Sequence, residues 1–270
     1  CYCCPLKNNY PASLGLFDRS RSNYKLKKEL FTAIQNLTLV PVSNWLERIV
    51  NESFFKNYSN IKIHTIYNGV DTNLFKYQAD LTTIGIRNKY GIVDTDFMAI
   101  ACATTWGERK GLKDYIALSK KIDSTVKLVM VGVNKNIRET LPKNIIVLSR
   151  TESVYELATL YSAADVVLNL SYEETFGLTT VEGFACGTPA IVYNATASPE
   201  LISKETGFVV EKGDIDGVVI AIDKVAAIGK NFYSKACRDR ALKFFDSKVQ
   251  YHKYIELYNS LISKNYETVF

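Results

Sequence analysis

Short apolar runs punctuate the chain between residues 97 and 210: Phe97–Ala103, Val126–Val131, Ile145–Leu148, Val166–Leu170, Ala190–Tyr193 and Phe208–Val210. They are rich in Val, Ile and Leu and alternate little with polar residues, which suits strands covered on both faces. Between most of them the apolar positions shift to helical spacing, clearest in Leu112–Ile122, Tyr155–Ala163 and Ser198–Ser203. Strand and helix in alternation predict an α/β domain. The sheet is expected to be parallel, doubly wound and Rossmann-like, binding ligands beyond the carboxyl ends of its strands at the topological switch point. Three amphipathic helices follow, over Asp214–Ile228, Phe232–Phe245 and Ser247–Lys264.

Upstream, Leu37–Val42 reads as a strand, Ser43 as the N-cap of a helix from Asn44 to about Phe55, and Ile61–Tyr67 as a second strand ending in Asn68-Gly69-Val70-Asp71. Strand–helix–strand is the unit of a parallel sheet. Asp18–Thr32 has a helical pattern and carries Arg19, Arg21, Lys25, Lys27 and Lys28. Two readings are open for it: a solvated basic face, or a flap beside an acceptor cleft or a membrane surface. Lys76–Thr95 reads as a linker without chemistry of its own.

The most informative stretch is Glu173–Val192, EETFGLTTVEGFACGTPAIV. It predicts a strand, a glycine-containing loop, a short helix over Leu178–Cys186 and a second strand. Gly187 suits the C′ position and Pro189 forbids continuation. The first amides of such a helix lack internal partners and sit at the positive end of its dipole, a place for a phosphate or pyrophosphate. Glu174 precedes the helix and Glu182 lies two turns within it, so their carboxylates could accept from hydroxyls on either side of a diphosphate. A solvated helix face is the bland alternative.

A second constellation, Trp106-Gly107-Glu108-Arg109-Lys110-Gly111, follows the strand Phe97–Ala103. A glycine-bearing loop with adjacent cations at a strand's carboxyl end can clamp phosphate. Val129–Gly132 ends another strand and lets a ligand approach backbone closely. Arg150, after Ile145–Leu148, either packs on a base or is an ordinary surface arginine. Tyr161 reads as core rather than as a base platform. His64 and His252 read as structural.

Together these residues resemble the retaining glycosyltransferases of the GT-B fold, family 4. Glu174-x7-Glu182 in the context FGLTTVEGFACGTPAIVY carries the likeness, supported by Lys110-Gly111 and by the order VSNWL, IYNGVD, LF. The resemblance implies that Glu174 contacts the donor sugar, that Gly177, Leu178 and Thr179 hold the diphosphate through backbone amides, and that Glu182 holds the ribose. It implies that Lys110 and Arg109 stabilise the leaving diphosphate, with Gly132 and Arg150 beside the nucleobase. The family's arginine usually stands five or six residues before the lysine, where this chain has Thr104 and Thr105. The two glycines that many relatives carry before a Pro-Glu pair are replaced at Thr196-Ala197-Ser198-Pro199-Glu200, where Ser198 would cap a helix begun by Pro199.

Residues 1–72 are thereby expected to be the remnant of an N-terminal acceptor domain, 73–246 a nucleotide-sugar-binding domain and 247–270 a helix crossing back toward the first. The expected activity is transfer of a glycosyl group from a nucleoside-diphosphate sugar to an acceptor hydroxyl with retention, in surface polysaccharide or glycoconjugate synthesis. No metal or other cofactor is expected. The acceptor would be a glycan or a lipid-linked molecule. An epimerase or phosphorylase on the same fold, and a scaffold without activity, are the rival readings.

Composition adds limits. With 47% hydrophobic and 23% charged residues the chain has an ordinary globular balance. A net charge of +5 with interspersed signs is too mild for a nucleic-acid binder and fits an anionic small ligand or weak attraction to anionic lipid. Cys102, Cys186 and Cys237 lie in apolar segments and read as reduced core thiols, whereas Cys1, Cys3 and Cys4 have no Cys or His cluster to complete a zinc site. A cytoplasmic location is expected, with peripheral membrane contact open. The chain opens on Cys1 rather than Met, which reads as the middle of a loop in a longer polypeptide.

Overall fold

The computed structural model describes residues 18–267, with side chains through residue 263. The cluster Cys1, Cys3, Cys4 lies outside the described residues. The chain divides into two compact units, with the break after Thr65.

The first unit holds α1 (Ser20–Thr32), β1 (Thr38–Leu39), α2 (Asn44–Glu52) and β2 (Lys62–Ile63). β1 and β2 pair in parallel, Thr38 opposite Lys62. Both strands are shorter than their apolar runs. Ser43 Oγ accepts the Leu46 N–H at 3.1 Å and caps α2, as expected. The helix stops before Phe55: the Ser53 hydroxyl donates to Val50 O at 2.6 Å and takes the backbone out of the helical ladder. A 3-10 turn over Phe54–Asn57 continues it. The basic side chains of α1 are exposed.

The second unit begins with α3 (Asp80–Lys89), which occupies the stretch expected to be a linker. Packing, not periodicity, makes this helix. The buried Arg87 guanidinium donates to Ala163 O at 2.8 Å and Val93 O at 3.3 Å and lies 3.4 Å from Asp165. Then follow β3 (Phe97–Cys102), α4 (Leu112–Leu118), β4 (Val126–Val131), α5 (Lys135–Arg138), β5 (Ile145–Leu148), α6 (Val154–Ala163), β6 (Val166–Asn169), α7 (Leu178–Ala185), β7 (Ala190–Tyr193), β8 (Gly207–Val210), α8 (Ile215–Ile228), α9 (Lys230–Phe244) and α10 (Ser247–Glu267).

The six strands β3–β8 form one parallel sheet in the order β5-β4-β3-β6-β7-β8. α6 and α7 pack together against β3 and β6, α9 lies on α7, and α8 covers β7 and β8 with α4 beside it. The chain winds outward from β3 to β5, returns, and winds the other way from β6 to β8. The reversal lies between β3 and β6, which pair through Ala99 and Val166. Every residue of β6 and β7 is buried, as the lack of polar alternation predicts.

Residues 66–72, placed by the sequence reading with the first part, pack within the second unit. Val70 N donates to Phe245 O at 2.8 Å, Ser247 N to Val70 O at 2.9 Å, and the Thr72 hydroxyl to Asp246. Ser198–Ser203 is not a full helix. A single 3-10 turn spans Ser198–Leu201, and Ile202 is already extended. Ser198 does not cap it: its buried hydroxyl has no partner among the described residues.

Candidate functional site

Two loops leave the sheet at the reversal, one after β3 and one after β6. The first is pinned by Trp106, whose indole N–H donates to Val131 O at 3.0 Å and whose ring meets Tyr115 edge-on. It then makes a tight 3-10 turn over Glu108–Lys110 and enters α4 through Gly111. Gly111 has φ +70, and a Cβ there would stand 2.1 Å from Leu170 O. Only glycine lets the Lys110 turn lie this close to the end of β6. The two loops are stitched once more where Tyr172 N donates to Arg109 O at 2.9 Å.

The second loop carries Glu174, and here the loops converge. Lys110 Nζ lies 2.5 Å from Glu174 Oε2, with both side chains largely buried. Glu174 Oε1 accepts the Thr175 N–H at 3.2 Å. These two residues, 64 apart in sequence, share one cleft. Arg109 sits on the same turn with its side chain exposed.

α7 starts directly after this loop. Its N-cap, Gly177, is left-handed at φ +104, and no side chain caps the helix. The opening amides, on Leu178 and Thr179, are therefore uncapped by side chains beside Glu174, at the positive end of the helix dipole. The helix ends in a Schellman pair as Gly187 implied: Gly187 N donates to Phe184 O at 2.9 Å and Thr188 N to Gly183 O at 2.9 Å.

Glu182 faces inward from α7. Tyr161 OH donates to Glu182 Oε2 at 2.9 Å. Burial lifts the Glu182 carboxyl above its ordinary value, and the tyrosine hydroxyl offsets part of that rise. Tyr161 is fully buried core, as expected. Cys102, at the end of β3 near Tyr161 and Glu182, is pushed up to about 12 by burial, so it is an inert thiol. Cys186 and Cys237 are likewise free, buried and raised to about 12.

Gly132 ends β4 at φ +84, and a Cβ there would lie 1.7 Å from Ala103 O. The fold itself requires this glycine. Arg150 is exposed beyond β5, at the sheet edge and two strands from β3, away from the Lys110–Glu174 pair. His252 pairs with Glu256 on the surface of α10 at 3.3 Å, and His64 lies on an exposed position beside β2. Among the described residues no cluster of three or more His, Cys, Asp or Glu could hold a metal ion, and no helix is long and apolar enough to cross a membrane.

Residues 85–240, more than half of the chain, match the family described as glycosyl transferases group 1. The chain belongs to that family. N-acetyl-alpha-D-glucosaminyl L-malate synthase of Bacillus anthracis is 27% identical over 230 residues, covering 79% of this chain and 58% of the relative. An uncharacterized glycosyltransferase of Methanocaldococcus jannaschii is 27% identical over 211 residues, 73% of this chain and 53% of its own. The chain thus spans little more than half the length of these relatives. Among solved structures, a glycosyltransferase from Rickettsia africae superposes with a TM-score of 0.75 at 22% identity, over 87% of this chain and 66% of that one. Anabaena HepE, in complex with UDP-glucose, gives 0.73 at 20% identity over 89% and 68%. The chain has the parallel six-stranded sheet that its sequence predicted, and it matches glycosyltransferase structures of the GT-B fold.

Sequence reasoning singled out the stretch that begins at Thr196 but gave Thr196 itself no role. It is the only non-glycine among the described residues with positive φ, at +50. The signal was present in the glycines that relatives carry near this point.

Proposed function

We propose that this chain supplies the donor half of a retaining glycosyltransferase, moving a sugar from a nucleoside diphosphate to an acceptor hydroxyl. The observation that carries the reading is the Lys110–Glu174 pair at 2.5 Å, beside the uncapped start of α7. A sugar nucleotide brings the two chemistries these groups need. Its diphosphate satisfies the ammonium and the amides of Leu178 and Thr179, and its sugar hydroxyls satisfy the carboxylate.

The difficult step is departure of the diphosphate while the sugar gains oxocarbenium character. Lys110, Arg109 and the α7 dipole supply fixed positive charge where negative charge develops. Glu174 orients the sugar through its hydroxyls. Glu182 keeps one oxygen on Tyr161 and has the other for the ribose, with Gly132 and Arg150 on the nucleobase side. A solved relative supports a nucleotide sugar, since HepE is seen with UDP-glucose, and the Bacillus anthracis relative is named as the synthase of an N-acetylglucosaminyl malate. The remaining polypeptide would hold a glycan or lipid-linked acceptor, on the cytoplasmic side and in contact with the membrane surface, in glycoconjugate synthesis without a metal.

Calorimetry of the chain with UDP, GDP and ADP and their sugars tests the site; binding of none refutes the reading. In the full-length polypeptide, Lys110→Ala should lower transfer by about two to three orders of magnitude with an unchanged circular dichroism spectrum. Unchanged turnover in that folded variant would overturn the assignment.

A further inference from the structure

Thr196 breaks a backbone rule. A β-branched residue at φ +50 is strained, because its Cβ crowds the following carbonyl. Such outliers persist where the surroundings enforce them and often mark functional positions. Glycine would take this turn without strain. What threonine adds is a hydroxyl, and that hydroxyl has a specific use: Thr196 Oγ1 accepts the Glu174 backbone N–H at 2.8 Å. The next residue completes the grip, since Ala197 N donates to Glu174 O at 3.2 Å. Both backbone polar groups of Glu174 are thus held by two consecutive residues of the loop after β7. With its backbone fixed, the side chain reaches out so that Oε1 accepts the Thr175 N–H and Oε2 meets Lys110.

We propose that Thr196 is a positioning residue for the sugar subsite, its strained backbone retained so that its hydroxyl holds Glu174 in register with the bound glycosyl group. The inference rests on the donor-site reading and deepens it. Thr196 touches no reacting atom; it acts through Glu174. The diphosphate, held by Lys110 and the start of α7, does not depend on it.

That separation defines the test. Thr196→Gly relieves the strain and deletes the hydroxyl, and Thr196→Ser keeps the hydroxyl without the β-branch. Calorimetry would use the tightest binder among UDP-glucose, UDP-N-acetylglucosamine and GDP-mannose, together with its parent nucleoside diphosphate. Thr196→Gly should bind the sugar nucleotide about tenfold more weakly, the size of one lost hydrogen bond, with less than about a twofold change for the bare diphosphate. Its melting temperature should equal or exceed that of the unaltered chain. Thr196→Ser should restore sugar-nucleotide binding. A glycine variant that binds both ligands as before, or loses both alike, overturns the positioning role. An unaltered chain that binds neither ligand overturns the donor-site reading and this inference with it.

Discussion

Replacing Gly111 by alanine tests whether the close approach of the two loops is real. The added Cβ would stand 2.1 Å from Leu170 O, a backbone atom that cannot swing aside, and the residue keeps φ +70. Left-handed backbone costs alanine about 1 kcal/mol. Relieving the overlap requires a backbone shift of about 1 Å, and overpacking of this kind costs about 1–3 kcal/mol. Together these predict a loss of about 2–4 kcal/mol. With an m-value of about 2 kcal/mol/M, the urea midpoint should fall by about 1–2 M. Gly85→Ala is the control: Gly85 lies in α3 with nothing within 4 Å of an added Cβ. It should gain up to about 1 kcal/mol from helix propensity. The shift in Gly111→Ala also parts the Lys110 turn from the Glu174 loop, and misplacement of about 1 Å can lower transfer about a hundredfold. Equal midpoints for the two alanine variants would refute the steric argument, and with it the placement of Lys110 against the end of β6.

Two further outcomes follow from side chains away from that contact. Burial lifts the folded Glu182 carboxyl above 4.5, so the folded chain keeps that proton to higher pH than the unfolded one. Its ionised form costs stability that is absent below the unfolded pKa and grows as pH rises through the folded one. Glu182→Gln should therefore change the urea midpoint little near pH 4 and raise it near pH 8; an equal gain at both would show that burial of the charge is not the cause. Arg238 donates to Phe75 O at 2.8 Å, Ala185 O at 2.7 Å and Thr72 O at 2.9 Å. Arg238→Met should cost about 2–4 kcal/mol, and lysine should not restore it because a point charge cannot reach three carbonyls; full rescue by lysine in a thermal melt would contradict that geometry.

Several strands of the sheet were legible because their determinants are local. Val126–Val131, Ile145–Leu148 and Ala190–Tyr193 are short runs that are apolar but for Lys127, and they form strands over those same spans. The convergence of Lys110 and Glu174 was legible for a topological reason, since both follow strands that flank the reversal. α3 was not, because its stability comes from Arg87 reaching carbonyls in other elements, and composition cannot announce such partners. Ser198 was misread for the opposite reason. Its local signal for a cap is good, but the 3-10 turn begins at Ser198 itself, one residue early, and leaves Ala197 at the cap position. The pairing of Tyr161 with Glu182 joins α6 to α7 and leaves no trace in either segment alone.

Where Val70 bridges Asp246 and a Cβ on Gly69 would press within 2.4 Å of Ser247 Cα, the first and last strides around the sheet come back to one spot. A tract whose extremities adjoin needs only a short tether to be sealed and reopened elsewhere. Circular permutants of residues 66–247 that begin in an exposed turn, such as Asp123–Ser124, should therefore be accessible. They would allow the six-stranded sheet to be moved between hosts as one interchangeable part.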